Sequence, residues 1–161
     1  MWKRVILKAL YPAALVAASL AAPASAQLAR PGCTGKPSAT WIDVSVDGVR
    51  SSQGLVAITL YADKPRKFLA RGGSLYVGRV PAREGNTTGC IFVPKPGVYA
   101  LAIYHDENAD QAFNRTAIGL PAEGYGFSNN PSTLAGLPSF KSVRLSIPRS
   151  GLVTRIRMKY P

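Results

Sequence analysis

From Thr40 onward the chain alternates. Ile42, Val44 and Val46 take every second place, with Asp43, Ser45 and Asp47 between them. A two-residue period puts apolar side chains on one face of a strand and polar ones on the other, which a helix cannot do. The same rhythm returns at residues 55–61, where Val56, Ile58 and Leu60 share a side. It returns again at Val143, Leu145 and Ile147, and at Leu152, Thr154, Ile156, Met158 and Tyr160. Residues 98–105, VYALAIYH, are apolar on both faces, the pattern of a central strand covered on each side. Shorter strands are expected at 75–80 and 90–93.

Turn chemistry separates these runs. Gly48 and Ser51-Ser52-Gln53-Gly54 make a hairpin of the first two strands. Gly85-Asn86-Thr87-Thr88-Gly89 reads as a turn, and Pro94-Lys95-Pro96-Gly97 as another. About seven short strands with no amphipathic helix predict an all-β domain over residues 40–161, an immunoglobulin-like or transthyretin-like β-sandwich.

The N-terminus follows other rules. Lys3, Arg4 and Lys8 precede an apolar run at residues 9–20, and Ala24-Ser25-Ala26 follows. A cationic start, a short apolar core and a small-x-small site compose a secretory signal peptide over residues 1–26. The apolar run is too short for a membrane span, which needs about 20 residues. Residues 27–39, rich in Pro, Gly, Ser and Ala, form an extended lead-in. The expected location is therefore outside the cytoplasm, periplasmic or secreted, with no transmembrane segment after cleavage.

Export sets the reading of Cys33 and Cys90, the two cysteines of the chain. In an oxidising compartment an isolated pair forms a disulfide. Neither belongs to a C-x-x-C pair, so a metal or redox centre is not indicated. The net charge is +12. Positive charge favours anionic surfaces, and Lys64, Arg66, Lys67 and Arg71 form its one local cluster. Nucleic acid is not an expected partner of an exported chain.

Between residues 105 and 140 the two-residue rhythm disappears, leaving one long irregular loop of the kind that often carries function. Four of the eight acids, Asp106, Glu107, Asp110 and Glu123, lie within residues 106–123, opposed there by Arg115 alone. Asp106, Asn108, Asp110, Asn114 and Glu123 are candidate ligands of a hard cation such as Ca²⁺, which takes 6–8 oxygens. Gln111 and Ala117 stand where a calcium loop of the EF-hand kind wants Gly and Glu. The alternative is a turn held by Asp and Asn hydrogen bonds without metal, so the expected cofactor is none, or calcium. Further on, His105, Tyr125, Phe127, Ser128, Asn129 and Asn130 combine aromatic surface with hydrogen-bonding groups. They are a candidate ligand platform, or else the loop's own small core.

Two runs in this region carry a resemblance. Tyr104-His105-Asp106-Glu107-Asn108, followed by Gly119-Leu120-Pro121 and Glu123-Gly124-Tyr125-Gly126-Phe127-Ser128-Asn129-Asn130, resembles the bacterial domain of unknown function 2141 family. The similarity spans nearly all of residues 40–160. It implies a small exported bacterial protein and no particular activity. Many members read Asp-x-Asn-x-Asn-Gly-x-x-Asp through the first loop. Here Asp110, Gln111 and Asn114 depart from that pattern, which weakens the case for metal.

No enzyme constellation stands out. His105 is the single histidine, its neighbour Asp106 points to the other face of a strand, and no nucleophile elbow or nucleotide loop occurs. The leading expectation is a non-catalytic envelope module that presents the 105–130 loop to an envelope protein or polysaccharide. Two alternatives stand beside it. One is a small hydrolase acting on envelope glycan or peptide through Asp106, Glu123 or His105. The other is a binder of anionic lipid or polysaccharide through Lys64, Arg66, Lys67 and Arg71.

Overall fold

The computed structural model describes residues 30–133 and 137–161. The signal peptide expected at residues 1–26 lies outside the described residues, as does the start of the lead-in. Nine strands follow in order: β1 (Cys33–Thr34), β2 (Thr40–Val49), β3 (Leu55–Ala62), β4 (Tyr76–Pro81), β5 (Gly85–Val93), β6 (Gly97–Asp106), β7 (Gly124–Phe127), β8 (Arg144–Ile147) and β9 (Leu152–Arg157). One helical turn, α1 (Phe140–Val143), precedes β8.

The strands form two sheets. One has the order β1-β5-β2-β9. The other runs β4-β3-β6, with β7 and β8 sharing the remaining edge of β6. There β8 pairs with Gly97–Ala100 and β7 with Ala102–His105. This is the β-sandwich that the alternation predicts. Ile42, Val44 and Val46 from the first sheet meet Val56, Ile58, Leu60, Leu101 and Ile103 from the second, with Ile91, Ile147 and Ile156 completing the buried layer. Burying such side chains contributes about 1.5–3 kcal/mol each.

The hairpin expected of residues 40–61 does not form. β2 pairs with β5 and β9, while β3 pairs with β4 and β6 in the opposite sheet. Both strands bury one face in the same core, from opposite sides. Their alternation is the same whether or not they pair, so periodicity could not distinguish the two arrangements. Residues 85–89 are not a turn either. They begin β5 and pair with β2, with Thr87 buried opposite Val46. Gly and Asn favour turns locally, but pairing along the long β2 extends this stretch.

A third difference bears on function. The stretch expected to be one irregular loop from 105 to 140 contains β7, antiparallel to β6. Its sequence, Gly124-Tyr125-Gly126-Phe127, alternates after all, with glycine in the inward places. There β7 crosses close to the chain after β9. A Cβ on Gly124 would lie 2.3 Å from the Tyr160 ring, and one on Gly126 2.7 Å from the Arg157 carbonyl oxygen. Only glycine fits such an approach.

Cys33 and Cys90 form a disulfide, and β1 lies parallel to β5 with these two residues in register. The bridge spans 57 residues, a loop whose closure contributes about 4 kcal/mol in the chain-entropy account.

Candidate binding site

The outward places on the five-stranded sheet are apolar too, which is why β6 reads as covered on both sides. Across the strands Tyr104 stands opposite Tyr125, and Ala102 opposite Phe127. Thr59 on β3 flanks Ala102 from the other side. Tyr61, Ala100, Ala102, Phe127 and Val143 form a second hydrophobic cluster here, joined by Phe68, Leu69, Tyr125 and Phe140. Rings touch edge to face in an unbroken series. Phe68 meets Tyr61, Phe140 and Phe127 at centroid distances of 5.2, 5.6 and 6.0 Å; Phe127 meets Tyr125 at 5.9 Å; Phe113 meets Tyr125 and Tyr104 at 6.4 and 5.5 Å. Such pairs each add about 0.5–1.5 kcal/mol beyond burial.

This cluster does not close over. It leaves a pocket of about 200 Å³ with Thr59, Ala102 and Phe127 in its lining, Tyr61, Tyr104 and Tyr125 around them, and Phe113, Arg115 and Pro121 on the side of the 107–123 loop. Leu69 and Leu137 line it as well. Burial pushes the phenols of Tyr61 and Tyr104 up, so both stay neutral at ordinary pH. The guanidinium of Arg115 lies 5.1 Å over the Phe113 ring and donates one hydrogen bond to the Gly119 carbonyl.

The loop that walls the pocket is held by its own acids. Asp106, buried at the end of β6, accepts the backbone N–H of Asp110 at 3.1 Å and of Gln111 at 2.9 Å. Those bonds hold a segment in which Ala109 and Gln111 take left-handed φ values of 56° and 64°. Asp110 accepts from the Ala112 N–H and from the amides of Asn108 and Asn114. These bonds, that from Asn114 foremost, hold its carboxyl below the usual range. Glu123, buried beside Asp106, accepts the Asn114 N–H at 2.9 Å. Burial, with the nearby charges of Asp106 and Asp110, pushes its carboxyl up. Beyond this, residues 114–122 fold into a small two-legged finger through the Arg115–Pro121 bridge, with Ile118 and Leu120 at its tip, 81% and 58% exposed.

The candidate cation ligands therefore meet mainly by hydrogen-bonding to the loop. Among the described residues, no three carboxylate, imidazole or thiolate groups converge on one metal position.

The candidate platform divides. Tyr125 and Phe127 face the pocket. Ser128 is buried and binds the Leu101 and Val143 main chain. Asn129 donates to the Ser142 and Arg144 carbonyls, while Asn130 both donates to Arg155 and accepts from Arg157, covering the free edge of β9. His105 lies on the inner face, fully buried, with Nδ1 2.7 Å from the Tyr160 hydroxyl and Nε2 2.8 Å from the Gln53 carbonyl. These residues stitch strands together. Sequence reading missed Tyr61, Tyr104, Phe113 and Arg115. The outward places of β3 and β6 could have flagged the two tyrosines. Phe113 and Arg115, in an aperiodic stretch, carried no signal.

Across the pocket, the turn at Pro65–Lys67 leads into Phe68 and Leu69, whose side chains dock on the second cluster. Lys64, Arg66, Lys67 and Arg71 are left exposed, and among the described residues none forms an ion pair. Asp63, the nearest acid, is engaged by Arg144 at 2.6 and 2.8 Å.

Fold and site together define a disulfide-tied, two-sheet β-sandwich with an aromatic pocket on the outer face of one sheet. Among the described residues no helix is long and apolar enough to cross a membrane. The family model described as "Uncharacterized protein conserved in bacteria (DUF2141)" matches residues 44–154. The chain belongs to that family. Comparison with curated proteins and with solved structures finds no match.

Proposed function

We propose that this chain is an exported, non-catalytic β-sandwich module of the bacterial envelope, which binds an apolar part of an envelope component in the pocket beside the 105–130 loop. One observation carries the reading. A sheet that already buries one face in the core turns a second set of aromatic side chains outward and leaves a pocket among them. Clefts lined by apolar and aromatic groups with a few polar ones are the usual form of ligand sites. Export is supported by the leader's composition and by the disulfide. The absence of catalysis is supported by His105, whose two ring nitrogens are both engaged, by Asp106, both of whose carboxylate oxygens accept main-chain N–H groups, and by Glu123, whose Oε2 accepts one. A hydrolase would need these groups free to reach a substrate.

The test is ligand-observed NMR on the full chain with a panel of small aromatic and aliphatic compounds, repeated with Ala102→Leu, whose larger side chain enters the pocket. Binding that the substitution abolishes in a folded protein supports the assignment. Binding left intact by the substitution refutes it.

A second reading has its own support. The exposed, unpaired Lys64, Arg66, Lys67 and Arg71 suit attachment to an anionic lipid or polysaccharide surface. Such attachment weakens steeply as salt is raised, because exposed charges are screened within about 10 Å at 0.1 M.

A further inference from the structure

Resting on the binding role just proposed, we infer that the pocket's ligand is a single-chain anionic amphiphile, its hydrocarbon end among the aromatic rings and its charged head at Arg115. Three observations converge. First, Arg115 is the one charged side chain lining the pocket among the described residues; no carboxylate lines it. Its guanidinium, over Phe113, donates one N–H to Gly119 and, among the described residues, forms no ion pair. A planar, always-charged fork held in this way suits a carboxylate or phosphate head.

Second, unpaired cations adjoin the pocket lining in the chain, and no carboxylate joins that lining. Lys64, Arg66, Lys67 and Arg71 stand on either side of the pocket-lining Leu69 in the chain, and among the described residues none forms an ion pair. The loop's own acids stay out of the pocket lining: Asp106, Asp110 and Glu123 accept hydrogen bonds within the loop, and Glu107 is held by Arg50 and Ser51.

Third, apolar surface continues past the pocket mouth. Leu137, 60% exposed, lines it, and Ile118 and Leu120 stand exposed between Arg115 and Pro121, which line it too. Exposed apolar groups gathered around a pocket mark an interaction surface. The polar groups lining the pocket are the phenols of Tyr61, Tyr104 and Tyr125, the Thr59 hydroxyl and Arg115, and a chain with an anionic end matches a lining with one charge among aromatic rings.

The experiment titrates the full chain with decanoate, decan-1-ol and decyltrimethylammonium below their aggregation thresholds, by calorimetry and by NMR shifts at Ala102, Phe113 and Tyr125. Decanoate should bind one to one, about tenfold more tightly than the alcohol, as expected of one charge-assisted contact. The cation should not bind. Arg115→Gln, at an exposed position, should remove decanoate's advantage over the alcohol. Ala102→Leu should weaken both. Equal affinity for acid and alcohol, unmoved by Arg115→Gln, overturns the anionic-head inference and leaves the pocket's binding role standing. Failure of every ligand overturns both. Binding to phosphatidylglycerol vesicles but not to monomeric decanoate overturns the inference in favour of surface attachment.

Discussion

The hydroxyl of Tyr160 lies 2.7 Å from Nδ1 of His105, 55 residues earlier in the chain. The Gln53 carbonyl can only accept, so the Nε2 facing it at 2.8 Å carries the proton. Nδ1 is then the acceptor of the Tyr160 hydroxyl, whose oxygen accepts in turn from the Arg50 N–H at 2.9 Å. The C-terminal segment, the end of β6 and the connection between β2 and β3 are joined by this one relay.

Tyr160→Phe should therefore destabilise the protein by about 1–3 kcal/mol, because it leaves a buried imidazole nitrogen and a backbone N–H without their partner. Urea denaturation measures it. A variant as stable as the parent would show that the relay contributes nothing.

Gly126→Ala tests the close crossing of β7. The added carbon would meet the Arg157 carbonyl oxygen at 2.7 Å and Ile156 Cγ2 at 2.9 Å, so β7 must shift. A cost of about 1–3 kcal/mol is expected. Because β7 also carries Tyr125 and Phe127, pocket binding should weaken in parallel. An unchanged melting temperature would refute the crossing.

Two glutamates should answer pH with opposite signs. The Arg50 guanidinium, with Ser51, holds Glu107 down at about 2 against a usual 4.5. Its charged form is favoured by folding, so its stabilisation is complete above pH 4.5 and is lost as pH falls toward 2. Glu107→Gln should be less stable at neutral pH, with the gap closing over that window. Glu123 is pushed up by burial. Its charge costs stability at neutral pH, and that cost vanishes as pH falls below its raised value and then below 4.5. Glu123→Gln, which keeps an acceptor for Asn114, should be the more stable protein at pH 7 and equal to the parent in acid. Melting curves from pH 2 to 8 decide. Parallel curves for both variants would remove the argument.

The loop at residues 106–123 should hold its shape without calcium, since Asp106, Asp110 and Glu123 already accept backbone N–H groups within it. Millimolar Ca²⁺ or EDTA should leave the melting temperature unchanged. A rise with calcium would instead assign Asp106, Asn108, Asp110, Asn114 and Glu123 to a cation, because a ligand that binds the folded state raises its stability.

Much of the fold was legible in particular residues. The alternation at Ile42-Val44-Val46 and at Val56-Ile58-Leu60 marked strands and named their buried faces. The doubly apolar VYALAIYH marked β6 as central. β7 escaped notice because its inward residues are glycines, which do not register as hydrophobic although they occupy buried places. Partnering escaped notice as well: β2 and β3 have the sequence of a hairpin and lie in different sheets.

Alternation is a property of neighbouring bonds. Successive side chains on an extended chain point to opposite sides whatever the chain later meets, so the sequence alone determined that this protein is built of strands, which side chains go inside, and that two cysteines were available to be joined. Pairing and the pocket depend on residues far apart in the chain. Phe113 meets Tyr104 and Tyr125, and Arg115 joins them in the pocket lining, because Asp106 and Glu123 hold the loop folded back, and nothing local in FNR foretells it. Which side the loop falls on, and what it leaves uncovered there, was settled by tertiary contact.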